Sequence, residues 1–272
     1  NERKLKQLNI IIVITVLTGL IFIGLFVFAF APDGQYKIKG DSINDFSDGW
    51  ILKSFNGESD RIVTLPDKVK GDTENVIVLM HKVPDDVSGN TAIAFKTEFQ
   101  NVRVMVGDET VYTNGIMNEQ KLMKNAVPCY NIVDIGEAVP GEIITIYLSS
   151  GYKKYSGLLP EVYYGNKSDI ILDLIYNNGM GLILAVSLIA TSIILTICLM
   201  LMKNSEVNKR KSVYAFSFIF ATALWSLLSN PIMQMLFRNT FGIYMSSMVI
   251  LLIMPVLYII IKDALHLKEG ML

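Results

Sequence analysis

A membrane protein with an extracytoplasmic all-β domain of the sandwich or jelly-roll kind, followed by transmembrane α-helices, is the fold class this sequence predicts. Three observations predict it. Apolar residues fill 51% of the 272 positions, but they are gathered into long uncharged runs. Residues 32–169, between the first such run and the next, read instead as short segments of period two broken by turn residues. Charge divides the same way: about 20 acids stand against 14 bases within 32–169, and about 5 acids against 10 bases elsewhere. The net charge of −1 hides this division, and the basic excess flanks the apolar runs.

Residues 1–9 carry Arg3, Lys4 and Lys6 and lead into an uncharged run over 10–31. A secretory signal core is usually about 7–15 residues. This run is longer and reads as an uncleaved signal anchor, the first transmembrane helix. Thr15 and Gly19 lie one turn apart in it, a small-residue spacing that admits a second helix and, with it, a homodimer.

The segment 32–169 supplies the β domain. Asn90–Phe99 alternates at Ile93, Phe95, Thr97 and Phe99, and Val102–Val106 alternates again before Gly107 and Asp108. Val111–Thr113 ends in Asn114-Gly115, a tight-turn dipeptide, and 76–80, 131–135 and 143–148 add further strands. Short strands about ten residues apart predict a sandwich or jelly roll. The segment is long enough to hold its own core.

The stretch 170–202 joins the β domain to the remaining apolar runs. Ile170–Tyr176 is an amphipathic connector, Asn177-Asn178-Gly179 a candidate hinge, and the uncharged residues to Met202 the second span, long enough at about 1.5 Å per residue to cross a core of roughly 30 Å. Two more spans are expected at 213–237 and 241–261, with a tail over 262–272. Asn230-Pro231 and Pro255 should kink them, because proline removes a backbone donor and disfavours helix at the residue before it. With the amino terminus in the cytoplasm, nine of the ten flanking bases, Lys209–Lys211 and Lys262 among them, fall on the cytoplasmic side and only Arg238 lies outside. This topology makes a multi-pass protein of the cell membrane with the β domain outside.

The order of parts resembles the bacterial seven-transmembrane receptors with diverse intracellular signalling modules. The residues carrying the resemblance are Asp48-Gly49-Trp50, Ile62–Pro66, Phe99–Val104 leading to Val111–Gly115, and Gly141–Tyr147. The resemblance implies a jelly roll similar to the galactose-binding fold and a role in signal transduction. It also implies seven spans after the outer domain, then an output module such as a diguanylate cyclase or histidine kinase. Here three expected spans come after the outer domain and the sequence stops at Leu272, so the expectation is the sensory and transmembrane part of a truncated receptor, without enzyme activity of its own.

The residues themselves offer little catalytic chemistry. His81 and His266 fall on opposite sides of the membrane in this topology and cannot share a metal or a triad. No phosphate-binding glycine loop occurs, and Cys129 and Cys198 make no disulfide framework. No catalytic residue, metal, cofactor or nucleic-acid partner is expected; the partners are the lipid bilayer and an extracellular small molecule or carbohydrate. A sugar asks for an aromatic plane and planar polar groups, which nominates Trp50, Arg61, Arg103, Tyr112, Asn114, Tyr130, Tyr152 and Tyr155. Core packing is the competing reading for Trp50 and Tyr112, the turn for Asn114, and a solvated strand face for Arg103. The tract Gly151–Gly157 is aromatic and basic, fit for an anionic ligand, a lipid surface or plain solvent. Asn166-Lys167-Ser168 matches the glycosylation acceptor pattern.

Coupling between β domain and spans falls to Tyr176, Asn177, Asn178 and Gly179, with Asn230 and Pro231 in the third span. Two functions are consistent with these features. One is the sensory part of a receptor that relays ligand binding across the membrane. The other is a membrane-anchored carbohydrate-binding or cell-envelope assembly protein with no relay.

Overall fold

Alternation decides which side chains meet in the β domain. Along Asn101–Val106 the residues Val102, Val104 and Val106 are buried while their neighbours are half-exposed, and Ile77 and Leu79 repeat the pattern. The computed structural model describes residues 43–53, 59–70, 73, 76–115, 126–201, 206–236 and 240–266. The expected first span, with Thr15, Gly19 and its basic flank, lies outside the described residues, as do 267–272.

Strands are numbered along the chain. A four-stranded antiparallel sheet has the order β1 (Ile43–Asp45), β12 (Val162–Asn166), β6 (Thr91–Thr97) and β9 (Cys129–Asp134). A six-stranded sheet, also antiparallel, runs β3 (Arg61–Val63), β2 (Trp50–Leu52), β5 (Ile77–Lys82), β10 (Ile143–Ser149), β7 (Asn101–Val106) and β8 (Glu109–Asn114). The short strands β4 (Asp67–Lys68) and β11 (Leu158–Leu159) pair with each other. Trp50, Leu79, Val104, Ile144, Ile146 and Leu148 from the larger sheet and Ile93, Phe95, Val133 and Val162 from the smaller one form a single buried core, which makes the domain a β-sandwich.

The expected strands from 76 to 148 are present, with ends moved by one or two residues. Phe99 departs from expectation. β6 ends at Thr97, and Phe99 sits beyond it with a φ of 50°, in the left-handed region that non-glycine residues seldom occupy. Six strands, β1 to β4, β11 and β12, had no alternation long enough to read. The tight turn expected at Asn114-Gly115 leads out of the described residues; Gly115 has the positive φ, 96°, that such a turn needs.

Four helices are described: α1 (Lys167–Leu201), α2 (Glu206–Leu228), α3 (Pro231–Leu236) and α4 (Thr240–His266). α1 begins three residues before the expected connector, because Asn166 caps it: its Oδ1 accepts from the Ser168 amide at 2.9 Å, and Nδ2 of Asn90 donates to the same oxygen at 2.9 Å. The glycosylation-like triplet is therefore a helix start. Lys167 adds a 2.8 Å ion pair to Asp134, whose carboxyl is held below its ordinary range chiefly by that hydrogen bond. Both partners are well exposed, so the pair contributes little to stability.

Two expectations about the helices are corrected. Asn177-Asn178-Gly179, expected to interrupt the chain as a hinge, lies within a helix that is unbroken from Lys167 to Leu201; Asn177 donates to Asp173 one turn earlier at 3.0 Å, in keeping with that helix. The span expected at 213–237 is broken rather than kinked: α2 ends at Leu228, Ser229 and Asn230 turn, and Pro231 opens α3 at the position where its missing N–H costs nothing. Pro255, by contrast, lies within a continuous α4.

The described chain divides into two compact units. One comprises the described residues of Ile38–Asn177 with Pro231–Tyr244, and the other those of Asn178–Asn230 with Met245–Leu272. The β-sandwich, the first turns of α1, α3 and the start of α4 thus belong to the first.

Candidate functional site

The outer face of the four-stranded sheet is already taken. In β6 both faces are buried: Ile93 and Phe95 enter the core, and Ala92 and Ala94 form a second apolar cluster with Ile170 and Leu174 of α1. Ile43, Tyr130, Ile132 and Met235 of α3 pack around that cluster. Small residues at 92 and 94 suit the close approach of a helix. Their burial had no local sign in the sequence, because Ile170 and Met235 are far away along the chain.

This arrangement sorts the sugar-contact candidates. Trp50 is fully buried, its ring nitrogen donates to the Phe46 carbonyl at 2.6 Å, and the rings of Phe46 and His81 pack against it at 5.6 and 5.2 Å. It presents no face to a ligand and belongs to the core. Tyr130 is half-buried on the covered sheet face, with the Lys96 ammonium 5.8 Å from its ring centre. Arg61 is exposed on the edge strand β3, and Arg103 is half-buried on the outer face of the other sheet, across from Tyr147.

Tyr112 and Asn114 meet at a polar seam between the edge strands β8 and β9. The Tyr112 hydroxyl and the Asn114 amide donate to Asn131 Oδ1 at 3.0 and 2.9 Å, and Asn131 Nδ2 donates to Thr97 Oγ1 at 2.8 Å. Asn114 also reaches the Cys129 sulfur at 2.8 Å. Burial pushes the Cys129 thiol up and, with Cys129 beside it, the Tyr112 phenol as well, so both stay protonated at neutral pH. The seam joins the two sheets.

Tyr152 and Tyr155 stand together with Phe99 and Tyr244. Phe99 lies 5.9 Å from Tyr152, 5.0 Å from Tyr155 and 5.9 Å from Tyr244, centre to centre. Tyr112 thus meets Asn114 and Tyr152 meets Tyr155, but the eight candidates do not converge on one site.

Arg103 and Asn114 line a small pocket with Tyr147, but the residues of a second, open groove were not foreseen. That groove, of about 480 Å³, is lined by Pro66, Asp67, Lys68, Lys96, Glu98, Gln100, Leu158, Leu159 and Pro160. Its lip is the β6–β7 connection. Gln100, itself buried, donates to the Leu158 carbonyl at 2.8 Å, and Ser150 donates to the Phe99 carbonyl at 2.7 Å. These bonds hold Phe99 in its strained conformation, with Glu98 and Gln100 on the groove and the ring between them in the aromatic group. The groove carries two ammonium and two carboxylate groups over an apolar floor of leucine and proline, so its formal charge cancels. Among the described residues no group of three or more His, Cys, Asp or Glu side chains could hold a metal ion.

Of the expected coupling residues, the structure joins Asn178 and Asn230. Nδ2 of Asn230 donates to the Asn178 carbonyl at 2.9 Å, and Gly181 leaves room for it, since a Cβ there would lie 3.3 Å from that nitrogen. Tyr176, Asn177 and Gly179 are helical residues of α1, and Pro231 starts α3.

No protein-family model and no curated protein matches the chain. Solved structures that match include a lysine-to-alanine mutant of a family 29 carbohydrate-binding module, studied for its mechanism of ligand recognition. It has 11% identity and a TM-score of 0.21 over 46% of this chain and 79% of that one. A glutamate-to-arginine mutant of a carbohydrate-binding module of family 29 has 14% identity and a TM-score of 0.20 over the same shares. Scores this low carry no argument; the sandwich rests on its own strand order and core.

Proposed function

We propose that this chain is the sensory part of a multi-pass membrane receptor, whose outer β-sandwich binds a small carbohydrate in the Pro66–Pro160 groove and relays its occupancy through the helices across the bilayer. One observation carries the reading: β12 passes into α1 with no residue between them, and the first turns of α1 pack on the sandwich. A binding domain on a flexible tether would not need that junction.

The membrane rests on composition and exposure. Residues Lys167–Cys198 and Phe241–Ile259 are long and apolar enough to cross a bilayer, with mean hydropathies of 2.5 and 2.1. Beyond the turns that pack on the sandwich many of their large apolar side chains are exposed, Leu252 to 74%, as lipid-facing residues are. The ligand class rests on the groove. Its volume is in the range of small-molecule sites, roughly 300–1,000 Å³. Its cancelling charges offer donors and acceptors to a neutral polyol without demanding a net charge, and its proline and leucine floor takes the place of an aromatic plane.

The test is a thermal-shift screen of the whole chain in nanodiscs against mono- and disaccharides, with amino acids as the contrasting panel. A saccharide at 100 times its Kd should stabilise the protein by about 2.7 kcal/mol. The shift should vanish in K68E and in K96E, whose side chains are exposed and whose folding should be unaffected. A shift from amino acids alone overturns the ligand class. Ligand-dependent hydrogen exchange that stops at the groove and leaves Ile170–Tyr176 unchanged overturns the relay and leaves an anchored binding protein.

A further inference from the structure

The loop from Gly151 to Gly157 is built more firmly than a solvated connection needs to be. The Tyr155 and Ser156 amides both donate to the Tyr152 carbonyl, at 2.9 and 3.1 Å, and the Leu158 amide donates to the Tyr155 carbonyl. Ser150 fixes the loop's start by accepting from the Tyr152 amide at 3.2 Å, and the Gly157 carbonyl accepts from Val69 at its end. Lys153 and Lys154 are exposed on this frame, and neither forms an ion pair among the described residues. The Lys154 ammonium lies 5.0 Å over the Tyr155 ring, and Tyr152 is 42% exposed.

The aromatic side of the loop identifies its surroundings. Phe99, Tyr152 and Tyr155 gather with Tyr244, which lies in the first turns of α4 and three residues inside the apolar run Phe241–Ile259. At about 1.5 Å per residue, a tyrosine at that position of a spanning helix falls within about 5 Å of the end of the hydrocarbon. This is the zone where tyrosines anchor at headgroup level and where lysines attract anionic lipid.

We propose that Gly151–Gly157 is a lipid-contact loop on the outer leaflet, in which Lys153 and Lys154 meet the phosphates of anionic headgroups while Tyr152 lies among the headgroups; this rests on α4 crossing a membrane. The partner is the anionic lipid surface itself, selected by two exposed cations of one sign beside an interfacial aromatic group. Its contact with Phe99 sets the loop next to the strained connection that bounds the groove.

The experiment uses the whole chain in nanodiscs containing phosphatidylcholine and phosphatidylglycerol, with bromine high in the acyl chains of one lipid or the other. W225F removes the tryptophan of α2 from every sample and leaves the core residue Trp50 as a constant background; Y152W then places a fluorescent reporter in the loop and keeps an aromatic ring there. Its quenching by brominated phosphatidylglycerol should be roughly threefold stronger than by brominated phosphatidylcholine, and K153Q/K154Q should abolish the difference. Equal quenching by both lipids, or a preference that survives K153Q/K154Q, overturns the proposal. Y258W, on an exposed face of α4, reports separately on the membrane. If it is unquenched by either lipid, the membrane reading falls and the proposal with it. If it is quenched while Y152W is not, only the lipid contact is overturned.

Discussion

Trp50→Ala is expected to destabilise the β-sandwich by about 3–5 kcal/mol, the usual cost of truncating a fully buried tryptophan. The effect should be at the upper end. The indole fills the core between Phe46 and His81, and its removal also leaves the Phe46 carbonyl without its donor. In thermal unfolding followed by the near-ultraviolet signal, the midpoint of the sandwich should fall by roughly 10–20 °C. The result separates two roles that the sequence leaves open. A tryptophan serving as a sugar platform would be exposed, and its loss would weaken binding while sparing the fold. A midpoint within about 2 °C of the parent would therefore contradict the core assignment.

Asn131→Ala should carry the next largest effect, a loss of about 2–4 kcal/mol. One side chain serves the whole seam: it accepts from Tyr112 and Asn114 and donates to Thr97. At this fully buried position alanine takes away the acceptor of the Tyr112 hydroxyl and the donor to Thr97 Oγ1 and leaves the Asn114 amide only the Cys129 sulfur, at about 1–3 kcal/mol for each group that water cannot reach. Y112F removes only one donor and should cost about 1 kcal/mol. The double variant Y112F/N131A should cost less than the sum of the two, since the tyrosine no longer needs an acceptor. Strict additivity, or a cost for N131A below about 0.5 kcal/mol, would show that the seam is not one network.

How much of this could be read from the residues depends on the range of the forces involved. β6, β7, β9 and β10 were legible because six or seven residues suffice to show a strand, even in β6, where both faces are buried. β4 and β11 have two residues each and exist only because they pair with each other, so no local signal marks them. Ala92 and Ala94 read as indifferent positions in the sequence; their burial comes from Ile170, Leu174 and Met235, on elements distant along the chain. Asn230-Pro231 reads in the sequence as a kink, whereas the structure ends one helix there and starts another; whether a proline kinks or ends a helix depends on where the next turn packs. Here that turn packs on the sandwich through Met235.

The groove was the least legible part. Lys96 alternates with core residues on β6, Glu98 and Gln100 lie in a connection and Asp67 and Lys68 make up the two-residue β4, and sugar chemistry drew attention to aromatic residues instead. Those aromatic residues proved to be spoken for by the core, the seam and the group around Phe99.

A relay from sandwich to bilayer depends on the junction at Asn166 and Lys167, where the last strand becomes a helix that stays unbroken through the expected hinge. Hydrogen exchange followed by mass spectrometry on the whole chain in nanodiscs tests that junction most directly. Amides from Ile171 to Gly179 should be protected to the same degree as those of β12 and β6, with no fast-exchanging step at Asn177–Gly179. Rapid exchange across that segment, with the strands still protected, would mean that sandwich and helix are joined by a loose tether, and the proposed relay would have no physical path.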